Sequence, residues 1–314
     1  MLKLPAYTTI YILTHESIEY PLQEWLQPHS NRRAGDELAS YYAAERFGWQ
    51  RVKVPVYFEG GNVLVGDDFF LLGANYAVDT CLHLSEQLLS DKGLKLKKAI
   101  TELYQQYLDK DRILYLVGST LQLPAEQKRR FTRNGEEWEE LLYMRNKEGS
   151  VQPVFHIDMF LTLAGRNENG KYRVLVGDPR MASDLLHNKY AALATPEAFD
   201  EIAALLTRLK FEVIRNPLPL VYVDDEQRRV RKWYYATYNN ALVEVRSAQE
   251  RTVWLPSYGH GNWPELQRTD EENKAIWEQL GFRVILLGDF HPFAAFAGSV
   301  HCIKKYVERE EAKG

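Results

Sequence analysis

VFHIDMFLTLAG (residues 154–165) and YRVLVGD (172–178), separated by an Asn-Glu-Asn-Gly stretch, decide how this chain is expected to fold. Both runs are short, apolar and rich in β-formers, and the polar stretch between them reads as a turn. In a strand, residues two apart share a face. His156 and Asp158 therefore point together, and Ile157 and Met159 point into a core. Such a face is either the wall of a pocket or the open side of an edge strand.

The same grammar extends outward. RVKVPVYF (51–58) reads as a strand ending in a Gly-Gly break, and VLVGDDFFLLGAN as two strands turning at Gly66, Asp67 and Asp68. Residues 96–109 have helical periodicity and 112–118 are strand-like. PEAFDEIAALLTRLK (196–210) reads as a helix with Pro196 in its first turn. PLPLVYV, TYNNALVEV, TVWLPSY and FRVILLG follow as strands, with a helix of about ten residues capped by Asp270 and ending before Gly281. A charged insertion near 121–150 reads as a helical excursion or a flap. With no Pro/Gly-rich linker, one α/β domain over 1–314 is the economical reading.

Bulk properties narrow the function. The 314 residues are 45% hydrophobic and 26% charged, with a net charge of -4 and no basic stripe. That weighs against nucleic acid or an anionic membrane as partner and is compatible with a small cation. Two cysteines make no disulfide framework, and no close pair suggests a metal knuckle. The N-terminus does not read as a signal peptide and no apolar run is long enough to span a bilayer, so a cytoplasmic location is expected. Nucleotide-binding glycine signatures are absent and no cofactor is expected.

The reactive residue types are few. In YFEGGN, Glu59 ends an apolar strand, and Gly60-Gly61 permit a sharp turn or a close backbone approach. A carboxylate there can orient a histidine such as His156, or simply be solvated. Cys302, in GSVHC, is the candidate nucleophile. In an extended chain His301 and Cys302 face opposite sides, which favours His156 as the partner of Cys302. Cys81 fits a helical apolar position and reads as structural. Asn240, in TYNNAL, can hydrogen-bond a substrate or close a sheet-edge turn. Asp178 reads as a turn or ion-pair residue. His260, His291 and His301 lack the spacing of a metal site.

Taken in order, YFEGGN, FHIDMF, YNNAL, WLPSYG and GSVHC resemble the guanidino-group-modifying superfamily over roughly residues 51–303. HIDMF and SVHC look most like the agmatine and bacterial peptidylarginine deiminase branch. The resemblance implies a pentein-type α/β propeller of repeated strand–helix–strand modules. It implies a cysteine-dependent hydrolase that converts a guanidino group, in agmatine, arginine or peptidylarginine, into a ureido product and ammonia without metal. Cys302 then matches the nucleophile, His156 the acid–base histidine and Glu59 its supporting carboxylate. Asp158 matches a guanidinium-binding aspartate, and Asn240 an asparagine that places the rest of the substrate. Paired carboxylate hydrogen bonds suit a planar cationic guanidinium.

The first module departs from that pattern. Family members carry a further guanidinium-binding aspartate well before Glu-Gly-Gly, whereas here 58 residues precede Glu59 and the first aspartate is Asp36, in a helix-start context. A shortened or altered first module is the expectation. Two alternatives stay open beside hydrolysis: amidino transfer through the same cysteine, and a guanidino-binding protein without activity.

Overall fold

The computed structural model describes residues 11–15, 42, 44–48, 50–54, 56, 58, 60–83, 96–120, 126–144, 156–187, 195–296 and 298–303. Along the chain run β1 (Tyr11–His15), β2 (Gln50–Val54), β3 (Val63–Val65), β4 (Phe69–Gly73), α1 (Ala74–His83), α2 (Leu96–Tyr107) and β5 (Ile113–Val117). Then come β6 (Glu126–Arg133), β7 (Glu136–Met144), β8 (Leu161–Arg166), β9 (Tyr172–Asp178), α3 (Pro179–Leu186), α4 (Pro196–Arg208) and β10 (Glu212–Pro217). The chain continues through β11 (Leu220–Asp225), β12 (Val230–Tyr235), β13 (Leu242–Val245), β14 (Arg251–Ser257), α5 (Gln267–Gln279), β15 (Arg283–Asp289) and α6 (His291–Ala294). The class is mixed α/β with several small sheets.

Internal contacts divide the chain into two compact units, one of residues 1–59, 67–116 and 307–309, the other of 60–66, 117–306 and 310–314. In the first, β1 and β2 pair in parallel from Tyr11↔Gln50 to His15↔Val54. β4 is buried along its whole length, as an unbroken apolar run should be. Ile100 and Tyr104, one turn apart on α2, supply its buried stripe. The Tyr104 phenol donates to the Tyr76 carbonyl (2.9 Å) and meets the Thr80 hydroxyl (2.7 Å), so the buried ring keeps its polar end satisfied.

The second unit uses one wiring twice. β8 and β9 are antiparallel, and β9 pairs in parallel with β10 after α3 and α4 cross over. β13 and β14 are likewise antiparallel, and β14 pairs in parallel with β15 after α5. A parallel neighbour needs a crossover long enough to return the chain, and the helices provide it. Ala198, Phe199, Ile202, Ala203 and Leu206 form the buried stripe of α4. Pro196 opens that helix as the sequence suggests.

Three expectations are corrected here. The strand expected from residue 154 is, over Ile157–Met159, a 3-10 turn, and β8 starts only at Leu161. Alternation of polar and apolar residues over five positions fits such a turn as well as a strand. Asp270 caps no helix. It sits inside α5, buried, and accepts from the Tyr258 and Gly259 amides (2.9 and 2.8 Å) and the Tyr238 phenol (2.5 Å). The described part of the charged insertion is a hairpin, β6–β7, turning at Asn134-Gly135 with φ of 53° and 81°. Two left-handed residues, Asn then Gly, make the turn whose twist suits a two-residue hairpin. Its charges pair across the strands, Lys128 with Glu139 (3.3 Å) and Arg129 with Glu140 (3.1 Å). Through β7 and β12 the hairpin joins a four-stranded sheet ordered β11-β12-β7-β6.

A buried amide cluster ties the two repeats together. Asn216, at the end of β10, donates to Asn273 on α5 (2.8 Å) and to Asn239 (3.2 Å), and accepts from Asn239 (3.0 Å). Asn273 passes its own protons to the Pro217 and Thr269 carbonyls. Asn216→Leu orphans polar groups on both partners, and each buried group left so costs about 1–3 kcal/mol. Urea unfolding is expected to show that loss as a lower midpoint at unchanged slope.

Candidate functional site

Four turns of the second unit meet: the 3-10 turn Gly60–Asn62, His156–Met159, the link Thr237–Ala241, and the 3-10 turn Val300–Ile303. Backbone bonds hold them. Asn62, fully buried, accepts the Ile157 amide (3.1 Å). The Thr237 hydroxyl donates to the Met159 carbonyl (2.6 Å), and the Tyr258 phenol donates to the Thr237 carbonyl (2.9 Å). The Cys302 amide closes its own turn on the Ser299 carbonyl (3.1 Å).

Asp158 lies at the centre, with 1% of its surface exposed. Its Oδ2 contacts His301 Nδ1 at 2.9 Å, and Cys302 Sγ lies 3.8 Å from the same oxygen. Its other oxygen, Oδ1, is buried and has no hydrogen-bond partner among the described residues. A carboxylate oxygen taken out of water without a donor is costly. This one is therefore the clearest place for a ligand N–H. His156, 8% exposed, borders the same space. A Cβ on Gly61 would stand 2.7 Å from His156 Nδ1 and 3.0 and 3.1 Å from the two Asp158 oxygens. Only glycine leaves that corner open.

Sequence reasoning placed His156 and Asp158 on one face, and the turn does bring both to Gly61, though not by the strand geometry expected. It set His301 and Cys302 on opposite faces. In a 3-10 turn they both approach Asp158 instead, so His301 belongs to the cluster that the sequence assigned to His156 alone. The signal for His301 was its adjacency to Cys302, read with the wrong backbone. Asn240 lies against Cys302, with Nδ2 3.3 Å from Sγ. Glu59 and Asp36 lie outside the described residues. Cys81 sits on α1, where burial pushes its thiol up. Asp178 caps α3, accepting the Arg180 and Met181 amides (2.9 and 3.3 Å), and pairs with Arg215 at 3.2 Å.

Cys302 is exposed as a residue, but its sulfur faces Asp158 and Asn240. Burial of the group pushes the thiol up, and the Asp158 charge adds to that, while the Asn240 amide acts in the opposite sense. The raised Cys302 thiol thus lies close to a buried carboxylate and two histidine side chains. That set can bind a compact cation, orient it, and move protons.

Behind the cluster, His291 spans Tyr234 Oη (2.6 Å) and the Tyr258 carbonyl (2.8 Å). A carbonyl can only accept, so Nε2 carries the proton and Nδ1 accepts from the phenol. Burial lowers the affinity of His291 for a second proton, against weaker opposing pulls from Asp289 and Asp270.

No protein-family model matches the sequence. No curated protein matches it either. Among solved structures, a provisionally assigned arginine deiminase from Porphyromonas gingivalis is similar to it, at a TM-score of 0.47 and 16% identity. That match covers 85% of this chain and 63% of the other. A provisionally assigned agmatine deiminase is also similar, at a TM-score of 0.48 and 16% identity over 85% of this chain and 61% of the other. This chain thus spans less than two thirds of the length of either protein. Among the described residues, no helix is long and apolar enough to cross a membrane.

Two outcomes are expected from this geometry. Gly61→Ala forces His156 and Asp158 apart, and overpacking of that kind costs about 1–3 kcal/mol. The thermal midpoint falls accordingly, and the reactivity of Cys302 toward a guanidine-bearing alkylating probe falls with it. His291 contributes stability that is complete above the ordinary imidazole value of about 6.5 and is lost as pH falls toward its depressed folded value. Unfolding free energies measured between pH 7.5 and 5 are expected to decline in the wild type and to decline less steeply in His291→Gln.

Proposed function

We propose that this protein is a guanidino-group deiminase, releasing ammonia and leaving a ureido product through a covalent intermediate on Cys302. The observation that carries the reading is the buried Asp158 carboxylate, whose Oδ1 has no donor among the described residues while Oδ2 lies 3.8 Å from the Cys302 sulfur. A guanidinium supplies N–H donors and a positive charge in one plane, so one such group meets the unmatched oxygen and presents its central carbon to the sulfur.

The thiol proton passes to an imidazole, for which His156 is the proposed acid–base group and Glu59 its supporting carboxylate. The sulfur bonds the guanidinium carbon, and a C–N bond of the collapsing adduct breaks as the imidazolium returns its proton to the departing ammonia. Water then adds to the S-linked amidino carbon, giving up a proton to the same imidazole. The C–S bond breaks to free the ureido product, the imidazolium returns its proton to the Cys302 thiolate, and the remaining hydroxyl proton passes to the released ammonia as ammonium. Asp158 orients the cation throughout. The reading places the site on a pentein-type α/β propeller and takes residues 1–314 as one catalytic domain.

A panel of agmatine, arginine and peptidylarginine, followed by ammonia release and intact mass, tests this. Ammonia and ureido product are expected in equal amounts, with a transient adduct on Cys302 of substrate mass less ammonia. Cys302→Ala is expected to lose about 10³-fold or more in kcat. Absence of turnover and of adduct across the panel overturns the proposal. An amidinated amine formed without ammonia replaces it with group transfer, and guanidine binding that survives Cys302→Ala with no turnover replaces it with a binding protein.

A further inference from the structure

Asn240 is the residue whose expected and observed surroundings differ most. The family resemblance makes it a substrate contact, but none of its surface is exposed and its amide has no capacity to spare. An asparagine amide offers two acceptor positions and two protons. Here Oδ1 accepts from the His301 amide (2.9 Å) and the Cys302 amide (3.3 Å). Nδ2 points to Cys302 Sγ (3.3 Å) and Met159 Sδ (3.7 Å). The two backbone N–H groups can only donate, so the oxygen must face them and the NH₂ must face the sulfurs. The Asn240 carbonyl takes the His301 amide as well, at 3.1 Å.

The frame around Asn240 is equally fixed. Its backbone amide donates to the Thr237 hydroxyl (3.3 Å), which itself donates to the Met159 carbonyl. The neighbouring Asn239 is tied into the Asn216–Asn273 cluster. The side chain is thus anchored from behind and presents its NH₂ to two sulfurs, the Cys302 thiol being the nearer at 3.3 Å.

We propose that Asn240 is a positioning residue, which holds the His301-Cys302 turn through Oδ1 and donates through Nδ2 the hydrogen bond that stabilises the Cys302 thiolate, without touching substrate. The inference rests on Cys302 being the nucleophile of the proposed reaction, but the hydrogen bond itself is testable with no substrate present. Asn240→Asp keeps an oxygen for the two backbone amides and replaces the donor facing sulfur with a second oxygen. The rate of Cys302 alkylation by iodoacetamide, followed by peptide mapping to separate it from Cys81, reports the thiolate fraction at each pH.

The alkylation midpoint is expected to move up by about one pH unit or more in Asn240→Asp, a tenfold lower rate on the rising limb for each unit. Asn240→Ser, which cannot reach the sulfur in the same way, is expected to shift in the same direction. In the labelled wild type, the Asn240 side-chain NH₂ resonances are expected to titrate with the alkylation midpoint, a readout that needs no variant to fold. Folded variants that keep the wild-type midpoint, or NH₂ resonances that ignore the thiol titration, overturn the proposal. If agmatine, arginine or peptidylarginine proves to be a substrate, KM is expected to change little in Asn240→Ser while kcat falls. A KM increase alone restores Asn240 to the substrate. Where no guanidine is turned over and the midpoint still shifts, the deiminase reading fails and the role of Asn240 stands.

Discussion

A carboxylate removed from water needs compensation, and the second unit is organised around the way Asp158 obtains half of it. Full burial of an unpaired charge costs far more than a typical folded chain can spare. His301 at 2.9 Å supplies one partner. Among the described residues no donor reaches the remaining oxygen. Gly61 contributes by what it lacks, since any side chain there would collide with both Asp158 and His156. The strain of an incompletely paired carboxylate is tolerable only if the surrounding turns cannot rearrange to relieve it. They cannot easily do so, because each is pinned by at least one backbone hydrogen bond to a partner distant in sequence.

That rigidity comes from outside the cluster. Thr237–Ala241 carries Asn240 and leaves β12 for β13, so its ends are fixed by two different sheets. Tyr258, wholly buried, reaches from the end of β14 to the Thr237 carbonyl and meets the Ser299 hydroxyl at 3.3 Å. Tyr258 is held in turn by Asp270 through its amide and by His291 through its carbonyl. Buried polar chains of this sort are favourable when every member is satisfied, and they fix one geometry rather than several. The apolar packing of Trp277, Phe282, Leu255 and Val253 supplies the bulk stabilisation beneath them.

Much of this was legible in the sequence, for identifiable reasons. Strand–turn–strand patterns such as 161–178 announce themselves by short apolar runs on either side of a Gly-ended polar turn, and α4 by its apolar stripe behind Pro196. The hairpin turn Asn134-Gly135 was equally legible, but the density of charge around it suggested a helix or flap. Cross-strand pairing of those charges is a tertiary fact that composition does not reveal. The site was legible as residue types and illegible as geometry. A period of two over His156–Met159 fits both a strand and a 3-10 turn at that length. Asp270 was misjudged because capping is the commonest role for an Asp at the start of a helical run. Full burial with every hydrogen-bonding position occupied is visible only in three dimensions.

Any cation held by Asp158 is coupled electrostatically to the ionisation of Cys302. Burial of the sulfur and, after it, the Asp158 charge both favour the protonated Cys302 thiol. A cation seated on Asp158 cancels that charge at the sulfur and adds attraction for the thiolate. Linkage then requires the converse: the thiolate binds the cation more tightly than the thiol does, by the same factor that the cation favours ionisation. The Asn240 N–H fixes the baseline from which this shift starts, since its bond to sulfur favours the anion whether or not the site is filled. A buried carboxylate 3.8 Å from a cysteine sulfur thus opposes ionisation of the thiol, and a cation that neutralises the carboxylate removes that opposition.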